Sequence, residues 1–77
     1  MTTFTLNSLL PIQADGEKLD TYCRMFNLSL VEWEKSAYKI TLKVNETLTP
    51  ERLAEIATAF NNFLVARLIT LGEYSTQ

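Results

Sequence analysis

The sequence contains no histidine, a single cysteine, two glycines and two prolines. Without imidazole it has no side chain that titrates unperturbed near neutral pH, and without a second thiol it has neither an internal disulfide nor a thiolate and imidazole set for structural zinc. Acid–base work would fall to carboxylates. Asp15, Glu17 and Asp20 stand at the start of a helical pattern, however, where capping and the helix dipole account for acidic residues. Gly16 and Gly72 are isolated, so there is no Gly-rich phosphate loop. Hence no catalytic residue, metal site, cofactor or small-molecule substrate is expected. Excess charge of one sign is also missing: seven Lys and Arg against nine Asp and Glu leave a net charge of −2. That balance exerts no long-range pull on a phosphate backbone and disfavours nucleic acid. The longest apolar run, Phe63 to Ala66, falls far short of the roughly 20 residues that span a bilayer. Met1 to Leu10 has neither a basic region nor a long apolar stretch of the secretory kind. The expectation is a cytoplasmic protein with no membrane segment, and the lone thiol fits a reducing compartment.

The 77 residues are 47% hydrophobic and 21% charged, which predicts one folded domain over residues 1–77. The dominant signal is a helix over 50–71. Thr49 is suited to its N-cap, Pro50 to its first turn, Glu51 to the positive end of its dipole and Gly72 to its stop. Leu53, Ile56, Ala57, Phe60, Leu64, Leu68 and Leu71 recur along it at helical spacing. Upstream, Phe4 and Leu6 alternate with threonines in a first strand over 2–10, closed by Pro11. Asp15 then caps a helix over 15–26, whose stripe of Leu19, Tyr22, Cys23 and Phe26 makes Cys23 a small buried hydrophobe, and Asn27 stops it.

Tyr38, Ile40, Leu42 and Val44 alternate with Lys39, Thr41, Lys43 and Asn45 in a strand over 37–45. A partner strand over 28–34 and a loop at Glu34 to Ala37 set Trp33 opposite Tyr38, Glu32 opposite Lys39 and Val31 opposite Ile40. The resulting fold class is α+β: a two-layer β-α-β-β-α domain whose three-stranded sheet is covered on one face by two helices. The crossover through the first helix is right-handed if it joins parallel neighbours. Strand order does not follow from the pattern. A competing reading opens a helix with a capping box at Ser29 and Glu32, which makes a helix-turn-helix protein but leaves Tyr38 to Asn45 without a helical face.

Three departures from the pattern carry the functional expectation. Leu28 and Leu30 fall on the open sheet face in this register. Val65 and Ile69 lie about 120–160° from Leu53 around the long helix, off its buried stripe, while Arg67 falls inside that stripe. Apolar groups outside the core and a cation within it suggest contact with another chain. The expected function is a small non-enzymatic protein–protein interaction module, a regulator, adaptor or inhibitor, acting as a homodimer or on a different protein. Its expected contact residues are Leu28, Leu30, Val65, Arg67 and Ile69. The alternative is a nucleic-acid-binding regulator of helix-turn-helix or basic-sheet type, with Lys39 and Lys43 as anion contacts. No aromatic shares their face for base stacking.

Overall fold

A computed structural model describes residues 1–63 and 69–76. In chain order its elements are β1 (Thr2–Asn7), α1 (Gly16–Met25), β2 (Leu30–Ser36), β3 (Lys39–Val44), α2 (Pro50–Phe63) and β4 (Thr70–Thr76). The α+β class holds, but the sheet has four strands in the order β2-β3-β1-β4, and every neighbouring pair is antiparallel. Thus α1 joins two parallel strands, β1 and β2, with β3 between them. Likewise α2 joins β3 to β4 with β1 between them. This is the connectivity of two interlocked split β-α-β units, the ferredoxin-like arrangement.

Each element forms for local reasons. In β1, Phe4 and Leu6 turn to the core and Thr3 and Thr5 to the other face. Thr2 is buried, and its hydroxyl donates to the Glu46 carbonyl (2.8 Å) and accepts the Leu48 N–H (3.0 Å), tying down the loop into α2. Asp15 caps α1 by accepting the Lys18 N–H at 2.9 Å. Asn27 ends the helix in the left-handed region at φ 59°. The Leu28 N–H then reaches the Cys23 carbonyl (2.9 Å) and the Asn27 N–H the Arg24 carbonyl (3.0 Å), the paired bonds of a Schellman stop. Thr49 caps α2, its hydroxyl accepting the Arg52 N–H at 3.2 Å.

The sheet's Phe4, Leu6, Ile40, Leu42 and Val44 share one core with Leu19 and Cys23 of α1 and Leu53, Ile56 and Phe60 of α2, so both helices cover the same face. Tyr22 meets Phe60 edge-to-face between the helices, with ring centroids 5.6 Å apart. Arg52 binds α2 to the end of α1: its guanidinium lies 5.1 Å from the Phe26 ring centroid and donates to the Phe26 carbonyl at 3.3 Å.

Two expectations are overturned. The helix over 50–71 does not run through, because Thr70–Thr76 is strand β4, paired to the free side of β1. Gly72 is therefore no helix stop. With Glu73 it forms a bulge opposite Thr5, and a Cβ on Gly72 would stand 2.5 Å from the Asn7 amide nitrogen. The entry into β4 is held from α2 by Asn61, whose side-chain amide accepts the Ile69 N–H (2.5 Å) and donates to the Ile69 carbonyl (3.0 Å).

The second correction is the hairpin. Glu32 faces Lys43 and Trp33 faces Leu42, a slip of four residues from the expected register, and Ser36 pairs with Lys39 across a turn of Ala37 and Tyr38. An even slip keeps Trp33 on the core side and Glu32 on the open side. A bulge at Val31 then changes the parity, so that Leu30 faces Val44. Leu28 is accordingly buried and Leu30 packs half-buried against the core; neither lies on the open face. Because Leu30–Ser36 is a strand, the capping-box helix and the helix-turn-helix reading also fall.

Candidate functional site

Ile69, expected on the back of a helix, is buried where β4 begins. Val65 and Arg67 lie outside the described residues. Lys39 and Lys43 do occupy the open sheet face. The other open-face positions of the two central strands are Thr3, Thr5, Asn7 and Thr41, and the hydroxyls of Thr5 and Thr41 hydrogen-bond at 3.2 Å. These central-strand positions are all polar, and they suit direct exposure to water.

The exposed apolar groups lie elsewhere. At one end of the sheet the chain leaves β1 through Ser8, whose hydroxyl donates to the Leu10 carbonyl (2.7 Å) and accepts the Leu10 N–H (3.1 Å). This side-chain turn puts Leu9 at its apex, 73% exposed, with Leu10 at 48%. The segment is fastened to the β2–β3 turn, the Ser8 N–H donating to the Tyr38 carbonyl (2.9 Å) and the Ile12 N–H to the Ala37 carbonyl (2.8 Å). Tyr38 itself is 54% exposed. Leu9, Leu10 and Tyr38 thus stand on adjoining, hydrogen-bonded turns. Sequence reading missed them by running the first strand to residue 10; the signal was Ser8 three residues before Pro11.

β4 is one end strand of the sheet, and a second uncovered surface is the other end strand, β2, whose residues Val31–Ser36 are all exposed. On its core side Trp33 packs over the start of α1. A Cβ on Gly16 would stand 2.7 Å from the indole ring, so glycine is needed there for close approach. Its open side carries Glu32 and Glu34 beside a groove of about 250 Å³, also lined by Thr3, Trp33, Thr41 and Lys43.

Cys23, Glu46 and Asp20 have structural roles. Burial pushes the Cys23 thiol up to about 11, with the charges of Asp20 and Glu46 adding to the effect, so it is an unreactive thiol packed in the core. The Glu46 carboxylate accepts the Ser29 N–H at 2.7 Å, and that bond holds its pKa below the usual carboxylate range. Asp20 pairs with Arg24 along α1 at 3.0 Å. Among the described residues no helix is long and apolar enough to cross a membrane.

No family model, curated protein or solved structure matches the chain. The ferredoxin-like connectivity hosts many unrelated activities, so it does not by itself assign one.

Proposed function

We propose that this protein is a non-enzymatic protein–protein interaction module, a regulator, adaptor or inhibitor of the cytoplasm, whose contact surface is the apolar end formed by Leu9, Leu10 and Tyr38. One observation carries the reading: Leu9 is fixed outward, 73% exposed, by the hydrogen bonds that Ser8 makes across the turn. An apolar side chain that floats in a loose loop loses entropy when it is covered, whereas one already held in place loses less and binds better for the same area. Leu9, Leu10 and Pro11 carry no charge, so the patch can meet its own copy across a two-fold axis without a like-charge contact. Homodimerisation through this end takes the place of self-association at Ile69, which is buried; Val65 lies outside the described residues.

Nucleic-acid binding is the weaker reading, because Lys39 and Lys43 share their face with Glu32 and Glu34, whose charges oppose a phosphate backbone. Sedimentation equilibrium from low to high micromolar concentration tests the proposal. The wild type should rise above 8.8 kDa while Leu9→Asp stays monomeric with an unchanged thermal midpoint. If both remain at 8.8 kDa throughout, self-association through this end is wrong.

A further inference from the structure

We infer that the free edge of β2 is a docking edge for an extended peptide segment that carries basic residues at alternate positions, which adds to the sheet as a fifth strand. This surface is separate from the apolar end and does not depend on it. β2 ends the sheet, and among the described residues no backbone hydrogen bond reaches its outer side. Its N–H and C=O groups there are a template for another strand.

The side chains select which strand. In an antiparallel pairing that continues one sheet, residues meet only partners on the same face. Trp33 and Lys35 are on the core side, facing Leu42 and Ile40, and Glu32 and Glu34 are on the open side, facing Lys43 and Thr41. A second copy is a poor partner by this rule. Centring the two-fold on Glu32, Glu34 or Lys35 sets that residue against itself, and centring it on Trp33 sets Glu32 against Glu34 twice. Like charges directly opposite are destabilising, so the row guards β2 against its own kind. The same row attracts the opposite charge. Neither Glu32 nor Glu34 forms an ion pair among the described residues, and Lys39 and Lys43 lie on β3, one strand further in than an incoming chain.

A guarding role alone does not call for tryptophan. Trp33 is 43% exposed and Val31 is 44%, while the inner side of the indole is seated against Gly16. The fitting segment therefore has Lys or Arg opposite Glu32 and Glu34, an apolar residue between them against Trp33, and an acidic residue opposite Lys35.

Trp33 is the only tryptophan in the chain, so its fluorescence reports occupancy directly. Blocked eight-residue peptides of alternating Lys and Val, and of alternating Glu and Val, are titrated at 50 mM and 500 mM salt. Amide hydrogen exchange is followed along β2. The lysine peptide should saturate the Trp33 signal and slow exchange in β2, and it should bind at least tenfold more weakly at high salt. The glutamate peptide should not bind. The double substitution Glu32→Lys and Glu34→Lys should reverse the preference while leaving the circular dichroism spectrum unchanged. Equal binding of both peptides, no binding up to millimolar concentration, or lysine-peptide binding that survives the double substitution would each overturn the inference. So would protection confined to β1 and β3, which would place the peptide on the open face.

Discussion

The Asn61 side chain gives the sharpest test of how the chain is folded, because the continuous helix and the four-stranded sheet predict opposite signs for its removal. In the structure Asn61 makes two hydrogen bonds to the backbone of the buried Ile69, one in each direction, and its amide also reaches the Ala57 carbonyl at 3.3 Å. Asn61→Ala deletes both bonds to Ile69, each worth about 1 kcal/mol net. It also leaves a buried N–H and C=O without those partners, at about 1 kcal/mol or more apiece, less whatever water recovers. The expected loss is about 2–4 kcal/mol, against a total stability of about 4–12 kcal/mol for a domain of this size. At about 4–8 °C per kcal/mol the thermal midpoint should fall by about 8–32 °C. In an uninterrupted helix over 50–71 the same substitution would replace a mediocre helix former with the best one, gaining up to about 0.7 kcal/mol. Urea unfolding followed by Trp33 fluorescence and circular dichroism reads the change. The exposed neighbour Asn62, substituted by alanine, should move the midpoint by no more than about 0.5 kcal/mol. An Asn61→Ala protein with an unchanged or higher midpoint would refute the clasp and the placement of β4 that it anchors.

Two further outcomes follow from single contacts. The Glu46 pKa is lowered in the folded state by its bond to the Ser29 N–H, so its contribution to stability is present above the ordinary carboxylate range and is lost as pH falls through the folded-state pKa. The urea midpoint should accordingly fall on acidification by less in Glu46→Gln than in the wild type; parallel curves would remove Glu46 from that role. Gly16→Ala should cost about 1–3 kcal/mol by forcing the indole off α1, with a red-shifted Trp33 emission; a neutral substitution would mean that the ring is not held there.

Much of the fold was legible wherever a few neighbouring residues decide it. The Asp15 and Thr49 caps, the left-handed stop at Asn27, the buried stripes of both helices and the alternation of β3 are local matters of side-chain chemistry and period. The hairpin register was not, because β3 repeats itself: Lys39 and Lys43 stand four apart, as do Tyr38 and Leu42. Either register satisfies the alternation and sets Glu32 opposite a lysine. The candidate surfaces suffered most, since the bulge at Val31 reverses the side on which Leu30 falls and no residue type announces it.

By itself the sequence determined the α+β class, the helix starts and which side of β1 and β3 meets the core, because periods of two and 3.6 are written in adjacent residues. The end of α2 and the identity of β4 were decided only by tertiary structure. Leu71 satisfies a helical stripe and a strand face equally well, and Ile69, which lies off that stripe, is buried only because β4 begins beside it. The choice falls to partners distant in sequence: the free edge of β1, which needs a second strand, and Asn61, which holds Ile69 at the strand's entrance. The exposed ends belong to the same class of fact. Leu9, Tyr38 and Trp33 are at the surface because the two helices cover one face of four strands and stop short of its margins, and only the assembled sheet says where those margins are.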